Sequence, residues 1–472
     1  MLPLCSSDMA PCTDPTNPTG LATSAPADSD KIDQAQLQAD AATTLIGIGC
    51  AFHRDIIVRA EGTNIYTAAG HRMQDWTSGQ MSCLLGHGNP EIVEVIARHA
   101  ATLDHLFSGM LSPPVINLAK RLTGLAPRGL DRAIFLSTGG ESNEFAIRMA
   151  KLCTGKFEVV GLSASWHGVT AGAIAAQYHS GRAGYGPVIP GNFALPAPNA
   201  YRSIFRHPDG SYDWRTELSY GFSLIDRQSC GSLAAVIVEP ILSSGGMHPL
   251  PPGYLKALKD HCTARNMLLI IDEAQTAIGR AGDMFAFQHH AEDEGVVPDI
   301  LTLSKTLGNG IALSAVLVSE HLAVTAEQRG FMYYTTHMND PLPAAVGDKV
   351  LEIVVRDGLV DRARELGEVL HAGLQQLKER YGCIGDIRGR GLMAGVEIVT
   401  DRESKVPAIE LGNAIGEKLA ALGVWAQLST HASFAGVFRI APPITVAEEE
   451  LLAGLEAMEE AFRSTEGSLP LY

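Results

Sequence analysis

The sequence predicts an α/β protein built on a mostly parallel, doubly wound β-sheet, joined to a smaller α+β domain. Apolar runs of strand length recur along the chain, and each is followed by a turn-rich loop and often by a helical stretch; they include residues 133–136, 157–162, 233–238 and 268–271. This alternation is typical of βαβ units, whose strands are buried on both faces.

Changes in pattern divide the chain into four predicted segments. Residues 1–30 are rich in Ser, Thr, Pro, Ala and Asp, which predicts a disordered tail. Residues 31–75 contain a short predicted hairpin within 55–70 and are expected to pack with the smaller domain. Residues 76–343 form the predicted large domain. After Pro343, long amphipathic helices (344–381) and short strands predict a C-terminal small domain, residues 344–472.

Composition excludes several classes of protein. The 472 residues are 46% hydrophobic and 19% charged, as in ordinary globular proteins. A net charge of -16 argues against nucleic acid or an anionic membrane as partner. No uninterrupted apolar run is long enough to span a bilayer, which takes about 18 residues or more. The eight cysteines are scattered without zinc-type spacing, and the N-terminus lacks a basic leader, so we expect a cytoplasmic protein with reduced thiols.

An acidic residue follows the predicted strand at residues 268–271. Asp272 stands at the carboxyl end of this apolar run, where ligands bind in open α/β sheets. Further along, Lys305 is the only charged side chain between Asp299 and Glu320. Considered alone, such a lysine either packs its aliphatic stem along the core with its ammonium group at the edge, or holds a desolvated amine that is nucleophilic. Together, a lysine and a strand-end aspartate are the pair that pyridoxal phosphate (PLP) chemistry requires.

Three other motifs each allow two interpretations. Small residues at 137–140 begin a predicted helix, so Thr138, Gly139 and Gly140 either bind a phosphate or simply cap the helix. Trp166 is either a core tryptophan or a ring that lies against a planar cofactor. Arg439, between apolar residues, is either an ion-paired structural arginine or a clamp for a substrate carboxylate.

Taken together, these motifs resemble those of the class III, fold type I aminotransferases over roughly residues 60–460. The resemblance is carried by Asp272, Gln275 and Lys305 and by the segments STGGESNE (137–144), WHG (166–168), EPILSSGG (239–246), YTTHMNDPLPAAVG (334–347), RGRGLMAGVE (388–397) and FRIAPP (438–443).

The resemblance implies PLP as cofactor and a role for each matching residue. Lys305 would bind the cofactor covalently, Asp272 would pair with the pyridine nitrogen, and Gln275 would meet the ring hydroxyl. Trp166 would face the ring. Thr138, Gly139 and Gly140, with the partner subunit's Thr336, would bind the phosphate. This implies a homodimer or tetramer with its active site at the subunit interface.

Within the family, the chain is most similar to members that decarboxylate 2,2-dialkylglycines. Relatives that act on ω-amines carry a glutamate where this chain has Ser244, and a serine cannot neutralise Arg439. Arg439 and Ser244 would therefore bind the carboxylate of a 2-oxo acid such as pyruvate. Gln80, next to Met81, and Trp166 would hold the carboxylate that leaves as carbon dioxide.

The expected reaction is decarboxylation and transamination of 2-aminoisobutyrate or isovaline, with pyruvate converted to L-alanine. Val169 replaces a family methionine and would enlarge the subsite for the smaller alkyl group. An aminotransferase acting on ordinary amino acids or amines without decarboxylation is the alternative. A non-catalytic PLP-binding or scaffold protein is a third hypothesis, which intact Lys305, Asp272 and Arg439 argue against.

The resemblance also implies an alkali-metal site, with potassium expected, whose donors would be Leu106, Ser108, Thr336, Met338 and Asp340. Besides Val169, the sequence departs from the family pattern in two segments. The loop at 286–298 is longer and acidic, and residues 426–436 match poorly. We expect both departures to concern substrate size or access.

Overall fold

The computed structural model describes residues 32–49, 52–178, 182, 184–430 and 435–465. The predicted tail at 1–30 and residues 431–434 of the poorly matching segment lie outside this range. The described chain falls into two compact units, one comprising residues up to 59 with 66–71, the other comprising 60–65 and 72 onward. No helix of the described residues is long and apolar enough to cross a membrane.

The helices are α1 (Gln34–Thr44), α2 (Ser78–Met81), α3 (Pro90–Thr102), α4 (Pro113–Leu125), α5 (Gly139–Thr154), α6 (Ala171–Ala176), α7 (Trp214–Gln228), α8 (Tyr254–Arg265), α9 (Glu320–Gln328), α10 (Pro341–Arg356), α11 (Leu359–Arg380), α12 (Ile409–Ala421) and α13 (Glu448–Thr465). Short 3₁₀ turns span Ala286–Gln288, Ala291–Asp293 and Lys305–Gly308.

The strands are β1 (Ile57–Glu61), β2 (Asn64–Thr67), β3 (Arg72–Asp75), β4 (Arg132–Leu136), β5 (Glu158–Leu162), β6 (Asn192–Leu195), β7 (Leu233–Val238), β8 (Ile241–Leu242), β9 (His248–Pro249), β10 (Leu268–Asp272), β11 (Ile300–Leu303), β12 (Ser314–Val318), β13 (Ile384–Arg390), β14 (Met393–Ile398), β15 (Val424–Trp425), β16 (Gln427–Ser429) and β17 (Val437–Ile440). The predicted hairpin corresponds to β1 and β2.

The smaller unit contains the helix α1. The side chain of Asp33 accepts a hydrogen bond from the Gln36 backbone N–H at 3.0 Å, which caps the first turn of the helix. None of the residues of α1 is buried. In the same unit, the Arg59 guanidinium lies 3.6 Å from the centre of the Tyr66 ring, a cation–π contact.

A seven-stranded sheet forms the centre of the larger unit, in the order β4-β12-β11-β10-β7-β5-β6. Neighbouring strands from β11 to β6 are parallel, and only β12 runs antiparallel to both of its neighbours. Every residue of β7 is buried, as expected for a strand covered by helices on both faces. The predicted fold class is confirmed.

Parallel pairing brings the ends of three strands together. Ile271 of β10 lies opposite Val238 of β7, and Asp272 of β10 lies opposite Thr302 of β11. The residues that follow these strands therefore emerge at one edge of the sheet, where the connecting loops leave room for a ligand.

The C-terminal part contains long helices and a second, antiparallel sheet in the order β13-β14-β17-β16. Arg439 of β17 pairs with Gly395 on one side and with Gln427 on the other. The elements agree with the predicted α+β character. The predicted boundary after Pro343 falls within the first turn of α10, and the division into domains stays a prediction.

A partly buried ion pair is formed by Asp75, the last residue of β3, and His87. Asp75 Oδ2 lies 2.8 Å from His87 Nε2, and Asp75 also accepts hydrogen bonds from the Thr77 backbone and hydroxyl. The hydrogen bond with Asp75, followed by one with Cys83, raises the pKa of His87 to about 10, although burial opposes the shift. A raised pKa means that the pair stabilises the fold fully below the usual histidine value of 6.5 and loses this contribution as pH rises toward 10.

We expect His87→Gln to lower stability at pH 6 by about 1.5–3 kcal/mol, the size of a hydrogen bond between charged groups. Between pH 6.5 and 10, the thermal midpoint should fall less steeply in this variant than in the wild type. Thermal unfolding followed by circular dichroism across this range measures both effects. His321→Gln, on the exposed surface of α9, is the matched control. Identical pH profiles for wild type and His87→Gln would contradict the assignment.

Candidate active site

One cavity lies at the carboxyl edge of the central sheet. Six of the residues singled out from the sequence line it: Gly139, Gly140, Trp166, Asp272, Gln275 and Lys305. The other lining residues are Asn143, His167, Gly168, Glu239, Ala274, Thr276 and Ser304. The segments that carry them follow β4, β5, β7, β10 and β11, so residues far apart in sequence converge because their strands are neighbours.

Lys305 follows β11 and begins a short 3₁₀ turn. Its φ of 33° lies in the left-handed region, a strained conformation for a non-glycine residue that is common at functional sites. Burial, and then the positive charge of Arg439, lower the pKa of Lys305 to about 8, while Asp272 and Glu239 oppose the shift. A larger fraction of the amine is therefore neutral near pH 7 than in an exposed lysine, which favours nucleophilic attack.

Asp272 is held from three directions. Its Oδ2 accepts hydrogen bonds from Asn143 Nδ2 at 2.7 Å and lies 2.8 Å from His167 Nδ1, and its Oδ1 accepts from the Ala274 backbone at 3.0 Å. Thr302 donates to Asn143 Oδ1 at 2.7 Å, which fixes the amide with its NH₂ toward Asp272. Sequence reasoning did not assign roles to Asn143 and His167, although both lie within the motifs STGGESNE and WHG.

The start of α5 is both capped and open to an anion. Thr138 Oγ1 accepts from the Glu141 backbone at 3.3 Å, and Glu141 Oε2 accepts from the Thr138 backbone at 3.2 Å, a capping box. Gly139 and Gly140, in the first turn, have backbone N–H groups without intrahelical acceptors. Thus the two interpretations of this motif are compatible, with Thr138 capping the helix and the glycines facing the cavity.

A close backbone approach explains one glycine in the WHG motif. Gly168 has a φ of 116°, and a Cβ atom added there would lie 2.5 Å from the Cα of Gly140. Any side chain would therefore push the loop after β5 away from the start of α5. This contact places Trp166 and the first turn of α5 on the same cavity.

Arg439 lies beside the cavity among neutral partners. Its Nη2 donates to Gln275 Oε1 at 3.0 Å and Ser243 Oγ at 3.1 Å and lies 3.4 Å from Met81 Sδ. Its Nη1 donates to Gln427 Oε1 at 3.2 Å. Burial lowers the pKa of Arg439 to about 10, with Glu239 opposing the shift.

No carboxylate forms a salt bridge with Arg439 within the ranges that the structure describes. Its Nε is buried without a hydrogen-bond partner there. An uncompensated buried cation with an unsatisfied donor is costly, so the site favours an incoming carboxylate. This geometry argues against the alternative of a structural ion pair.

Glu239 lines the cavity, and Ser244 lies next to Gln275. Glu239 accepts hydrogen bonds from the Trp166 backbone at 2.9 Å and the Ser243 backbone at 3.3 Å. Burial raises the pKa of Glu239 to about 7, so it changes charge near neutral pH. Ser244 Oγ accepts a hydrogen bond from Gln275 Nε2 at 3.4 Å. Because Gln275 also accepts from Arg439, Ser244 belongs to the same hydrogen-bond network as the arginine.

Three residues singled out from the sequence are exposed and do not line the cavity. Gln80 is exposed, the Val169 side chain is 72% exposed, and Thr336 is exposed in the loop before α10. Met81 is buried and reaches Arg439 through its sulfur. The predicted roles of Gln80 and Val169 toward substrate and of Thr336 toward a phosphate stay predictions.

One predicted potassium donor, Asp340, contacts two histidines in this structure, and the potassium site as a whole stays a prediction. Both oxygens of Asp340 face imidazole nitrogens, since His105 Nδ1 lies 2.6 Å from Oδ1 and His337 Nδ1 lies 2.6 Å from Oδ2. Ser108 Oγ donates to the Thr335 carbonyl at 3.0 Å. Potassium prefers a shell of oxygen atoms, whereas two nitrogens surround this carboxylate. Sequence reasoning missed His105, which carries no local motif.

Comparison with known proteins gives a consistent result. The model of the family described as aminotransferase class-III matches residues 51–462. An uncharacterized aminotransferase from Schizosaccharomyces pombe is 51% identical over 422 residues, which are 89% of this chain and 93% of that protein. The protein named alanine--glyoxylate aminotransferase 2 homolog 2, mitochondrial, of Arabidopsis thaliana is 31% identical over 87% of this chain and 83% of its own.

Solved structures share the fold over most of their length. An amine transaminase from an uncultivated Pseudomonas species, in a PLP-bound form, superimposes with a TM-score of 0.80 at 29% identity, covering 89% of this chain and 98% of that one. An (S)-enantioselective omega-transaminase from Thermomicrobium roseum gives a TM-score of 0.83 at 30% identity, covering 91% and 98%.

Proposed function

The chain belongs to the class III aminotransferase family, and from that premise we propose that it transfers an amino group from an α-amino acid to a 2-oxo acid with PLP as cofactor. The observation that carries this proposal is the partly buried Lys305 amine in one cavity with the fixed Asp272 carboxylate. When bound, PLP supplies an electron sink for the pair left by a bond broken at the substrate's α-carbon.

The residues of the cavity fit this cofactor. Asp272, held by Asn143 and His167, is placed to accept a hydrogen bond from a protonated ring nitrogen. The N–H groups of Gly139 and Gly140 suit a phosphate at the helix N-terminus. Lys305 Nζ is the group that would bind the cofactor and carry a proton to and from the reacting carbon, because its lowered pKa lets it exchange protons near neutral pH.

Arg439 supports a substrate that carries a carboxylate. A guanidinium can bind a carboxylate through two parallel hydrogen bonds, and in this structure neutral oxygen and sulfur atoms are its partners. The amide of Gln275 and the hydroxyls of Ser243 and Ser244 belong to the same hydrogen-bond network as the guanidinium. They would complete the hydrogen bonds of a bound carboxylate. We therefore expect the clamp to bind amino-acid donors and 2-oxo-acid acceptors alike.

Transamination without decarboxylation is the first candidate, because the relatives are named as aminotransferases and Gln80 is exposed outside the cavity. Decarboxylation of a 2,2-dialkylglycine is the second candidate. It is favoured by Ser244, which leaves Arg439 without the acidic partner expected in ω-amine enzymes, and by Trp166 in the cavity wall.

One assay separates the two candidates. The holoenzyme is given pyruvate with either a panel of L-amino acids or 2-aminoisobutyrate, and alanine, acetone and carbon dioxide are measured. Alanine formed from an L-amino acid without carbon dioxide supports the first candidate. Acetone and carbon dioxide in equal amounts with alanine support the second. If no donor yields alanine, and the same holds with other 2-oxo acids, the proposed amino transfer is wrong.

Asn143 provides a test of how Asp272 is positioned. Asn143→Ala should lower kcat by about tenfold to a hundredfold, the value of one hydrogen bond to a charged group. Thr302→Val, which is nearly isosteric and removes only the bond that fixes the Asn143 amide, should have a smaller effect in the same direction. Steady-state kinetics of both variants check the order. A larger loss in Thr302→Val would contradict this chain of contacts.

Oligomeric state and location extend the proposal. A homodimer or tetramer is supported by large apolar side chains exposed on the single chain, including Met110, Leu111 and Met332. A cytoplasmic location is supported by free thiols at the described cysteines Cys83, Cys153, Cys230, Cys262 and Cys383. Analytical ultracentrifugation measures the first, and imaging of the tagged protein in its host cell measures the second.

A further inference from the structure

Two loops of the larger unit meet at one carboxylate. His105 stands after α3, and His337 precedes α10; each places its Nδ1 2.6 Å from a different oxygen of Asp340. Ligand atoms of the three side chains lie within 4.8 Å of one another. Within the described ranges, no other group of three histidine, cysteine, aspartate or glutamate side chains converges in this way.

The backbone holds this cluster in place. Asn339 has a left-handed conformation with a φ of 58°. Its backbone N–H donates to the Phe135 carbonyl of β4 at 3.0 Å, and its side-chain oxygen accepts from the Phe135 N–H at 3.1 Å. Asp340 occupies the N-cap position of α10 yet makes no capping hydrogen bond. An N-cap aspartate ordinarily accepts from the first turn of its helix, so the carboxylate here faces the two imidazoles instead.

The donor atoms decide which ion suits this cluster. Two imidazole nitrogens and a carboxylate are ligands typical of Zn²⁺ and related transition metals, whereas potassium prefers oxygen alone. We propose that His105, His337 and Asp340 bind one divalent transition-metal ion, with Zn²⁺ as the type, in place of the alkali metal expected from the sequence.

Small side-chain movements are enough to form the site. Zinc–ligand distances of about 2.0–2.2 Å place tetrahedral ligands roughly 3.4 Å apart, so the 2.6 Å contacts to Asp340 must open to admit the ion. The His105 and His337 side chains are 46% and 62% exposed in the single chain, which leaves them free to rotate and admits water as a further ligand. Each Nδ1 must present its lone pair, so its proton moves to Nε2 or to solvent.

An ion in this site would tie the segment after α3 to the loop before α10. That loop contains Thr336, next to His337, and it is already fixed to β4 at Asn339. The expected consequence is a raised thermal midpoint of the ion-bound protein, because the ion binds the folded arrangement and not the unfolded chain.

The test uses the full-length holoenzyme, titrated with ZnCl₂ in a calorimeter and with CoCl₂ by visible absorption. We expect one ion per chain at this site and a visible Co²⁺ spectrum without the intense charge-transfer absorption of a cobalt–thiolate. His105→Gln and His337→Gln should each weaken the binding by at least about tenfold. His321→Gln, an exposed histidine outside the cluster, should bind as the wild type does.

Two results would overturn the proposal. The first is equal affinity for Zn²⁺ and Co²⁺ in wild type, His105→Gln, His337→Gln and His321→Gln. The second is a potassium-dependent rise in thermal midpoint that Asp340→Asn abolishes, with no Co²⁺ spectrum in the wild type, since that outcome assigns the site to an alkali metal. Both readouts are independent of amino transfer, so failure of the proposed function leaves this test intact.

Discussion

Replacing Lys305 with alanine should abolish amino transfer while leaving the protein folded and able to bind PLP non-covalently. Among the described residues that line the cavity, Lys305 is the only lysine, so no other amine there can bind the cofactor covalently or carry the proton. Loss of a positioned acid and base alone lowers rates by about 10²–10⁴-fold. Asp272 and the helix start at Gly139 and Gly140 remain to bind the cofactor.

The measurement for Lys305→Ala has two parts. Steady-state kinetics give the loss of kcat, and borohydride reduction followed by peptide mass spectrometry locates the covalently bound PLP in the wild type. Lys305→Arg is the matched control, since it keeps a positive charge but is not nucleophilic, and it should be equally inactive. A reduced PLP adduct on another lysine in the wild type would show that Lys305 does not bind the cofactor.

Replacing Arg439 with alanine should raise the KM for pyruvate by about 10- to 150-fold. The variant loses a charge-assisted pair of hydrogen bonds to the substrate carboxylate, worth about 1.5–3 kcal/mol. Because no carboxylate pairs with Arg439 among the described residues, its removal leaves no buried acid unpaired, and folding should be little affected.

A substrate without a carboxylate distinguishes the loss of carboxylate binding from a general effect of the substitution on the fold. An aldehyde acceptor of similar size, such as propanal, has nothing for the guanidinium to clamp, so its kcat/KM should be unchanged in Arg439→Ala. Arg439→Lys, which keeps the charge without the planar fork, should give an intermediate KM for pyruvate. Equal losses for both acceptors would mean that Arg439 acts through the fold, and unchanged pyruvate kinetics would place the clamp elsewhere.

Much of the fold was predictable because strand and helix signals are local. The apolar runs that become β7 and β10 read as buried parallel strands, and both are covered by helices in the structure. From these strands it also follows that Asp272 stands at the ligand edge of the sheet. The lone Lys305 needed only the composition of its neighbourhood to be noticed.

Residues whose role is to hold another side chain in place were harder to predict. Asn143 and His167 hold Asp272 from two other elements, and no spacing in the sequence joins them to it. The exposed positions of Gln80, in α2, and of Val169, in the loop after β5, depend on how these segments pack, which sequence pattern does not specify.

The family, the fold class and the pair of Lys305 and Asp272 could be inferred from the printed residues, because periodicity and motif identity are properties of neighbouring residues. What surrounds each charge became visible in the folded chain. The fold placed neutral partners around Arg439. The local sequence had left open whether this arginine clamps a carboxylate or forms a structural ion pair. The fold also brought His105 to Asp340 across 235 positions. Such long-range contacts depend on packing between elements, and packing is settled only when the whole chain folds.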